Sequence, residues 1–535
     1  MSCVYSYRDA SGKARSKTFV SFGYLDQLAE RYRDPLAHCQ AMVERFNQGE
    51  HNGHQLVEDL RESGLAAPKP VVAKNLGYFF PYHLYEELGI ESFWRSVQQK
   101  QHVLYDLNAV FRLLTMLRCL RPTGPFDYAG RRGCLFERAD FRPAELFDAT
   151  VRIAGQGRHL LNQLRLRLPR IYQPELKLGF YHKVHTYLGL NFGHLPQAEQ
   201  ASKGHPEQAP ATRALPGLVR SALLTDARGI PLDLMAIDYL VDDPLRHRAD
   251  LLKSRQAAGL GRIVSVEDIG IKRLGDLHIF ADPAIGFILS QDISGAQGEL
   301  REWILNDAWS DSVAGERFKS RKLRRRFCQV DAQGDVHQAI CAVKQVCVYS
   351  PDHAALLRRR YQRDLRRQLH ERNRLAWLGQ NPPSQGQRPG LARIEQLGGY
   401  QVLLTTETKM PAREVAVTFR RHQRAALLFE NLPVLPRSVP TGFDPGVYVR
   451  THFLVSFVVI LLLSLLQKDL KDAYTAQRIC QALDALNCIN LRENLYCLTD
   501  WSEIAAELSR IHGVNFSSIP MTLAEIHHQL AKLRC

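Results

Sequence analysis

The period of the apolar and polar positions changes near residue 176, and this change divides the chain into a helical part and a β-rich part. From about residue 30 to 170, apolar residues recur at helical spacing, as in LNAVFRLLTMLRCL (107–120). Before this stretch, the alternating residues Val4–Tyr7 and Thr18–Phe22 flank a DASGK turn, which is typical of a β-hairpin. The pattern therefore predicts a mostly helical N-terminal region, residues 1–170, that opens with a hairpin.

Residues 171–293 show the alternation of strands, interrupted by helical segments. A helix is predicted between Asp243, which suits the N-cap, and Gly259, which suits the position after the last turn. The predicted strands are LKLGFYHKVHTYLGLNF (176–192), the runs on either side of the turn Asp226–Gly229, RIVSVED (262–268) and GFILSQDI (286–293). Antiparallel strands followed by β-α-β crossovers predict an α/β fold in which helices cover a mixed sheet.

The rest of the chain divides into three further parts. Residues 294–410 combine helical and strand patterns and are predicted to form an inserted α+β domain. Residues 411–467 are predicted to form the last helices of the core, and residues 468–535 a small helical tail. The segment Phe453–Leu466 is apolar throughout. It is too short to span a bilayer, which needs roughly 20 residues, and this predicts a buried core helix and no membrane partner.

Charge and cysteine content narrow the class of partner and the compartment. The 535 residues carry a formal net charge of +15, which favours a polyanionic partner, nucleic acid ahead of an anionic membrane surface. The alternative is a basic protein without such a partner. The eleven cysteines include no Cys-x-x-Cys pair, which is typical of reduced thiols in a cytoplasmic protein. The first residues, MSCVYSYRDASGK, lack the apolar stretch of a signal peptide.

Two basic runs are candidate phosphate-binding segments, RFKSRKLRRR (317–326) and RRRYQRDLRRQLHERNR (358–374). Arginine forks pair with phosphate oxygens bidentately and supply affinity that does not depend on sequence. The alternative explanation for each run is a solvated helix face. The candidate nucleic-acid-binding residues are Arg321, Lys322, Arg324, Arg325, Arg326, Arg358, Arg359, Arg360 and Arg363.

Five segments, in consistent order along nearly the whole chain, resemble a bacterial insertion-sequence DDE transposase. They are GYFFPYHLYEELGIESFW (77–94), SKGH with LPGLVRSALLTDARGIPL (202–205, 215–232), GFILSQDISGAQGELREWILND (286–307), KQVCVYSPDHAALLRRRYQRDL (344–365) and YTAQRICQALDAL (474–486). The resemblance implies an RNase H-like mixed sheet with a β-rich insertion before the last catalytic helix. It also implies double-stranded DNA as partner, at element-end inverted repeats, bound by a homodimer in the bacterial cytoplasm at the nucleoid. The N-terminal region, residues 1–170, is then a DNA-binding candidate.

The chemistry that this resemblance implies needs three carboxylates. They hold two Mg²⁺ or Mn²⁺ ions that activate the attacking hydroxyl and stabilise the departing oxygen. The segment VEDIGIK matches the motif of the second carboxylate and aligns Asp268 with it. At the first position, YHKVHTY aligns Lys183 with the expected Asp, and no Asp or Glu occurs between Glu175 and Glu199. An ammonium group there would repel the metal ions.

The third carboxylate of the family lies on a helix, seven residues after an aromatic residue. With Phe419 as the aromatic residue, Ala426 occupies the Glu position and Pro433 the Lys position that follows it. Glu430 lies one helical turn later and is a candidate displaced substitute. If the alignment holds, Lys183, Asp268 and Ala426 converge at one end of the sheet. The nearby histidines have no zinc-motif spacing: His182, His185, His194 and His205.

Two of the three metal ligands are therefore missing at their aligned positions. The sequence predicts a transposase-family DNA-binding protein. Cut-and-paste transposition by metal-dependent phosphodiester hydrolysis and strand transfer is expected to be impaired in this chain. One alternative is an active DDE transposase whose carboxylates are displaced. Another is a non-enzymatic DNA-binding regulator that derives from a transposase.

Overall fold

The structure is a computed structural model, and it describes most but not all of the chain. The described residues are 2–8, 14–21, 24–29, 32, 34–47, 73–122, 132–137, 139–187, 218–237, 244–268, 278–280, 282–293, 295–313, 315–331, 335–351, 354–355, 397–430, 445–492, 495–516 and 521–532. They form two compact units. The first unit combines Met1–Tyr172 with Pro433–Cys535, and the second is Gln173–Leu432.

The elements follow one another along the chain in three stretches. The first stretch holds β1 (Ser2–Arg8), β2 (Ala14–Ser21), α1 (Leu25–Ala29), α2 (Pro35–Asn47), β3 (Lys74–Asn75), α3 (Phe79–Glu87), α4 (Ile90–Lys100), α5 (Leu107–Leu120) and α6 (Pro143–Arg167). The second holds β4 (Leu178–Tyr187), β5 (Leu218–Asp226), β6 (Pro231–Ile237), α7 (Pro244–Ala257), β7 (Arg262–Glu267), β8 (His278–Phe280), β9 (Ile285–Gln291), α8 (Gly298–Leu305), β10 (Asp311–Val313), β11 (Glu316–Val330), β12 (Val336–Tyr349), β13 (Tyr400–Thr405) and α9 (Ala412–Glu430). The third holds α10 (Pro445–Asp469), α11 (Ala476–Ala485), β14 (Asn487–Arg492), β15 (Leu495–Leu498), α12 (Glu503–Ile511), β16 (Met521–Thr522) and α13 (Leu523–Lys532).

The first unit is mostly helical and opens with the predicted hairpin, in which β1 pairs antiparallel with β2. Helix α5 begins where the sequence supplies a cap: the Asp106 side chain accepts a hydrogen bond of 2.8 Å from the amide of Ala109. The residues after α11 also contain strands. β14, β15 and β16 form a four-stranded sheet with β3, so the tail is not purely helical as predicted. These strands are too short to give a clear alternating pattern in the sequence.

The apolar helix α10 belongs to the first unit, and this corrects its predicted place among the last helices of the core. It runs for 25 residues, well beyond the 14-residue apolar segment, because polar and basic residues extend it at both ends. By length and composition, Val449–Asp469 could cross a membrane, but 89% of its apolar window is buried. Packing against α5 and α6 accounts for this apolarity, and Thr451 donates a hydrogen bond of 2.7 Å to the carbonyl of Thr150.

The second unit is α/β, as predicted, and its described strands form one ten-stranded mixed sheet. The path through the sheet is β10-β11-β12-β13-β9-β7-β4-β5-β6, and β8 pairs with β11. β4, β7 and β9 are parallel, whereas β5 is antiparallel to both β4 and β6. The insertion strands β10 to β13 extend this sheet and do not form the separate domain that the sequence predicted. The reason is that β13 pairs directly with β9.

Candidate functional site

The two faces of the sheet are distinguished by the helices that pack on them. Alternate residues of the central strands, such as Phe180, Val266 and Ile288, pack with Phe419 of α9 in one hydrophobic cluster. We call this side the α9 face. The intervening residues of the strands point to the opposite side, where α7 packs on β7, and we call that side the α7 face.

Asp268 follows the last residue of β7 and points to the α9 face. Its side chain is exposed, and its Oδ1 accepts a short hydrogen bond from the hydroxyl of Ser290 on β9. Ser290 lies two residues after Ile288 on the same strand, so both side chains share a face. The predicted second carboxylate therefore stands at the carboxyl end of β7, where the α9 face is open to solvent.

Lys183 lies in the middle of β4 and is only 4% exposed. Its Nζ is 3.2 Å from Nδ1 of His247 on α7 and 3.7 Å from Oε1 of Glu267 on β7. Ser265 completes the cluster, because its hydroxyl donates a hydrogen bond of 3.2 Å to Oε1 of Glu267. We call Lys183, His247, Glu267 and Ser265 the buried lysine cluster, and it lies on the α7 face.

The imidazole of His247 is neutral within the buried lysine cluster. Burial, and secondly the charge of Lys183, lowers the pKa of His247 to about 3. The ammonium of Lys183 can only donate, so Nδ1 of His247 accepts and Nε2 carries the ring proton. Although Nε2 lies 3.7 Å from Oε1 of Glu267, a neutral ring makes no ion pair with that carboxylate. Lys183 is thus the charge that neutralises Glu267.

The structure does not bring the Lys183 and Asp268 side chains together. Lys183 contacts α7 and Glu267, whereas Asp268 contacts Ser290 on the α9 face, so the two side chains point to opposite faces of the sheet. The expected convergence of these two residues is therefore wrong. A shift of one residue along a strand moves a side chain to the other face, and the sequence alone did not fix which residue of YHKVHTY faces the helix.

His182 is the residue of β4 at this level that faces α9. It is 1% exposed, its Nε2 lies 3.1 Å from the Thr225 hydroxyl, and its ring stacks on His422 of α9 at 5.8 Å between centroids. Burial, then the nearby His422 and Arg421, lowers the pKa of His182 well below its usual value. The spacing of His182 fits no zinc motif, and the sequence predicted no other role for this residue. The signal that could have placed it is the alternation along β4, which groups His182 with Phe180 on one face.

Helix α9 follows the strands across the α9 face. Its buried residues Val415, Phe419 and His422 recur at helical spacing. Ala426 lies one turn beyond His422, and Glu430 ends the helix. The side chains of residues 426–430 lie outside the described part of the structure, as does Pro433. The role of Glu430 as a displaced carboxylate therefore stays a prediction.

The first basic run forms most of strand β11 and not a helix face. Because side chains alternate along a strand, its cations divide into two sets. Arg321 is half-buried: it contacts Glu299 at 2.7 Å and Gln345 at 2.8 Å, and its guanidinium lies 4.4 Å from the ring centroid of Trp303. These contacts engage the Arg321 guanidinium within the fold, and its role in binding nucleic acid stays a prediction. The exposed candidates are Lys322, Arg324, Arg325 and Arg326.

The second basic run, with Arg358, Arg359, Arg360 and Arg363, lies outside the described residues. The first run lies away from Asp268. In the register of the sheet, Ser290 on β9 is level with Ser320 on β11, through Leu403 and Val346 of the strands between them. Arg324 to Arg326 follow Ser320 on β11 and therefore lie nearer the amino end of β7 than Ser290 does. The exposed cations and Asp268 therefore occupy different parts of the sheet.

The residues at the aligned carboxylate positions do not fit a pair of Mg²⁺ ions. Among described side chains, Asp268 is the only carboxylate at these positions, and the α9 face beside it presents the imidazoles of His182 and His422. Mg²⁺ requires oxygen ligands. In the described ranges, one trio of ligand-type side chains comes within 4.8 Å: Asp331, Asp335 and His337 at the distal end of β11 and β12. Hydrogen bonds within this exposed trio account for its arrangement.

Comparison with known proteins assigns no family to this chain. No protein-family model matches the sequence, and no curated protein matches it. The function must therefore be inferred from the geometry of the sheet, the residues at the end of β7 and the charge of β11.

Proposed function

We propose that the chain is a DNA-binding protein of the DDE transposase group whose RNase H-like core no longer supports cleavage. The single observation that carries this proposal is the order of the strands in the second unit. Five of them stand in the order β6-β5-β4-β7-β9. Numbered along the chain with β8 left aside, this order is 3-2-1-4-5, with strand 2 antiparallel to its neighbours. This order and these directions agree with the RNase H-like core that the family resemblance implies.

The path of the chain after the fifth strand supports the same proposal. Strands β10 to β13 intervene after β9, and the chain then returns as α9 on the face to which Asp268 points. A β-rich insertion before the last catalytic helix is what the family resemblance implies. Mixed sheets covered by helices occur in many unrelated proteins, so the order of the elements supports the proposal more strongly than their number does.

The residues at the catalytic positions support the loss of cleavage. β4 carries no Asp or Glu, whether Lys183 or His182 is aligned with the first carboxylate. His182 is neutral and buried, and Lys183 contacts Glu267 on the other face of the sheet. Asp268 retains the second carboxylate, but a single carboxylate cannot bracket two metal ions. Mg²⁺ or Mn²⁺ would be a cofactor only if Glu430 or another carboxylate completed the site.

The charge of the protein supports DNA as the partner. The net charge of +15 and the exposed cations of β11 favour binding to phosphate groups. Within this proposal the partner is double-stranded DNA at element-end inverted repeats, bound by a homodimer in the bacterial cytoplasm. A non-enzymatic regulator derived from a transposase shares this geometry, and it is distinguished by a gene without terminal inverted repeats.

The test combines binding and cleavage on the same DNA. The full-length protein is titrated onto a duplex that carries the sequence flanking its gene, and it is incubated with Mg²⁺ or Mn²⁺ on supercoiled plasmid that carries the same sequence. We expect salt-sensitive binding without nicking, because counterion release drives binding whereas cleavage needs the missing ligands. An Asp268→Ala variant is the control and should bind DNA equally well.

Two outcomes would overturn the proposal in different ways. Absence of duplex binding at low salt would remove the DNA-binding function. Metal-dependent nicking by the unchanged protein that disappears in Asp268→Ala would reveal an active site built from other carboxylates, and Glu430→Gln would be the next variant to measure.

A further inference from the structure

We propose that one exposed face of the β11–β12 ribbon docks in the major groove of duplex DNA and contacts base edges as well as phosphates. This inference rests on the proposed DNA-binding function and adds to it the mode of recognition. The face consists of Lys322, Arg324 and Arg326 on β11 and Ile340, Ala342 and Lys344 on β12. We call these six residues the ribbon face.

The ribbon is long and partly free of other strands. β11 and β12 pair from Arg317 opposite Tyr349 to Val330 opposite Val336. β13 pairs only with Lys344–Tyr349 of β12, and β10 and β8 pair only with the two ends of β11. Between these contacts, over Leu323–Phe327 and Ala339–Val343 of the described residues, the ribbon is two strands wide, and Lys322 and Lys344 lie at the base of this part. Two strands lie about 5 Å apart, and the major groove, about 12 Å wide, admits a two-stranded ribbon.

The back of the ribbon is anchored, which leaves the ribbon face available. Phe327, Val343 and Leu323 point away from the ribbon face and pack with Phe287 and Leu404 of the sheet. Their burial orients the ribbon, together with the hydrogen bond from Lys344 to the carbonyl of Met410 at the base of the ribbon face. The ribbon face is therefore a rigid surface whose residues are not needed to fill the core.

The composition of the ribbon face costs stability in two places. Lys322 stands directly opposite Lys344, and like charges facing each other across a strand pair are destabilising. Burial, and secondly Lys322, lowers the pKa of Lys344, whose Nζ donates a hydrogen bond of 2.7 Å to the carbonyl of Met410. Ile340 is 61% exposed although it is strongly apolar. An anionic partner with apolar groups would relieve both costs.

The pairs of the ribbon face match the chemistry of the major groove. Arg324 stands opposite Ala342, and Arg326 opposite Ile340, so each row combines a guanidinium with an apolar side chain. Guanidinium forks donate to the O6 and N7 of guanine or to phosphate oxygens, and apolar side chains contact the methyl group of thymine. Along β11 the cations recur every second residue, about 7 Å apart.

A different explanation is that the cations protect an unpaired strand edge from aggregation, a common use of Lys and Arg. That role needs neither a fixed orientation of the cations nor an exposed isoleucine. Arg325 also lies on β11, and its side chain is exposed but points to the back of the ribbon. Edge protection would use Arg325 as well as Arg324 and Arg326, whereas base contacts in the groove involve only the latter two. Arg325 therefore serves as a matched control.

The experiment begins with duplexes that the full-length protein selects from a pool with a randomised centre. The dissociation constant of the selected duplex is then measured for the unchanged protein, Arg324→Ala with Arg326→Ala, Arg325→Ala and Ile340→Ser. We expect the double variant to lose about tenfold or more in affinity, because a bidentate contact to a base discriminates by at least roughly fivefold. Arg325→Ala removes a phosphate contact but no base contact, so it should weaken binding to the selected duplex and to an unrelated duplex by the same factor.

A second probe isolates the base edge. Replacing thymine by uracil in the selected duplex removes only the C5 methyl, which should weaken binding by the unchanged protein roughly fourfold per buried methyl group. Ile340→Ser should abolish this thymine preference. RNA duplex of the same sequence should not compete, because its major groove is too deep and narrow. All variants change exposed residues, and circular dichroism verifies that they fold.

The outcomes separate this inference from the proposed function. Binding that enriches no sequence and ignores the uracil exchange would overturn groove docking while leaving DNA binding intact. A double variant that, like Arg325→Ala, weakens binding to the selected and the unrelated duplex by the same factor would also overturn it. Failure to bind any duplex of the pool would contradict the proposed function itself, and with it this inference.

Discussion

Replacing Lys183 by Met should destabilise the second unit, because it leaves the Glu267 carboxylate without its cationic partner. Lys183 is 4% exposed and the Glu267 side chain 18%, so water replaces the lost ammonium only in part. Breaking a buried ion pair from one side costs about 3–5 kcal/mol. We expect about 3 kcal/mol, at the lower end, because Glu267 keeps the hydrogen bond from Ser265.

The same substitution should change how stability depends on pH. The folded-state pKa of His247 is about 3, against 6.5 for the free side chain. As the pH falls from 6.5 toward 3, the unfolded chain therefore takes up a proton that the folded chain does not. Stability is fully present above 6.5 and is lost on acidification, by on the order of 4 kcal/mol from this group. Without Lys183 the pKa of His247 rises, so this loss becomes smaller.

Amide hydrogen exchange of β4 and β7, followed between pH 4 and 7, measures both effects in the second unit. Lys253→Met on the exposed side of α7 is the control and should leave protection unchanged. Adding Glu267→Gln to Lys183→Met should recover more than half of the lost stability, because the uncompensated charge is removed. If the double variant were as unstable as the single one, the cost would arise from packing and the electrostatic explanation would be wrong.

Three further predictions concern the α9 face, the β5–β6 turn and β11. Calorimetry should show tighter Mn²⁺ binding by His182→Asp with Ala426→Glu than by Lys183→Asp with Ala426→Glu. The reason is that only the His182 substitution places its new aspartate on the face of Asp268. Equal affinities would contradict the assignment of faces. Gly229→Ala should lower the midpoint of thermal unfolding by an amount equivalent to about 1–3 kcal/mol, because residue 229 has φ +84° and an added Cβ would meet the Arg421 side chain. An unchanged midpoint would show that the turn adapts. Arg321→Ala should alter the fluorescence of Trp303 and leave the affinity for DNA within about twofold, since the contacts of Arg321 are internal. A large loss of affinity would show that Arg321 contacts DNA.

The strands and helices of the core could be predicted from local patterns. The two runs around Asp226–Gly229 became β5 and β6, RIVSVED became β7, and a helix follows Asp243 as its cap residue predicted. Alternation, caps and turn residues are properties of a few neighbouring positions, so the sequence contains them directly. The absence of a carboxylate on β4 is likewise evident from the sequence alone.

The insertion was harder to predict because its strands are defined by their partners. RFKSRKLRRR alternates charged residues with few apolar ones, and the pairing of β11 with β12 buries Lys319 and Phe327 but exposes Arg324. Lys319 is accommodated because its Nζ donates a hydrogen bond of 3.0 Å to the carbonyl of Ile304 and lies over the ring of Trp309. This compensation comes from residues of other elements, Ile304 on α8 and Trp309 before β10, and the local pattern of the strand does not indicate it.

The sequence by itself determined most elements of the α/β core, the position of Asp268 after a buried strand, and the absence of carboxylates on β4. Only the tertiary structure decided that Lys183 and His182 serve different faces, one neutralising Glu267 and the other stacking on His422. The physical reason is that adjacent residues of a strand point to opposite sides, while the side that a helix covers depends on contacts between segments far apart in the chain. His422 lies 240 positions after His182 in the chain, and only folding brings their rings together.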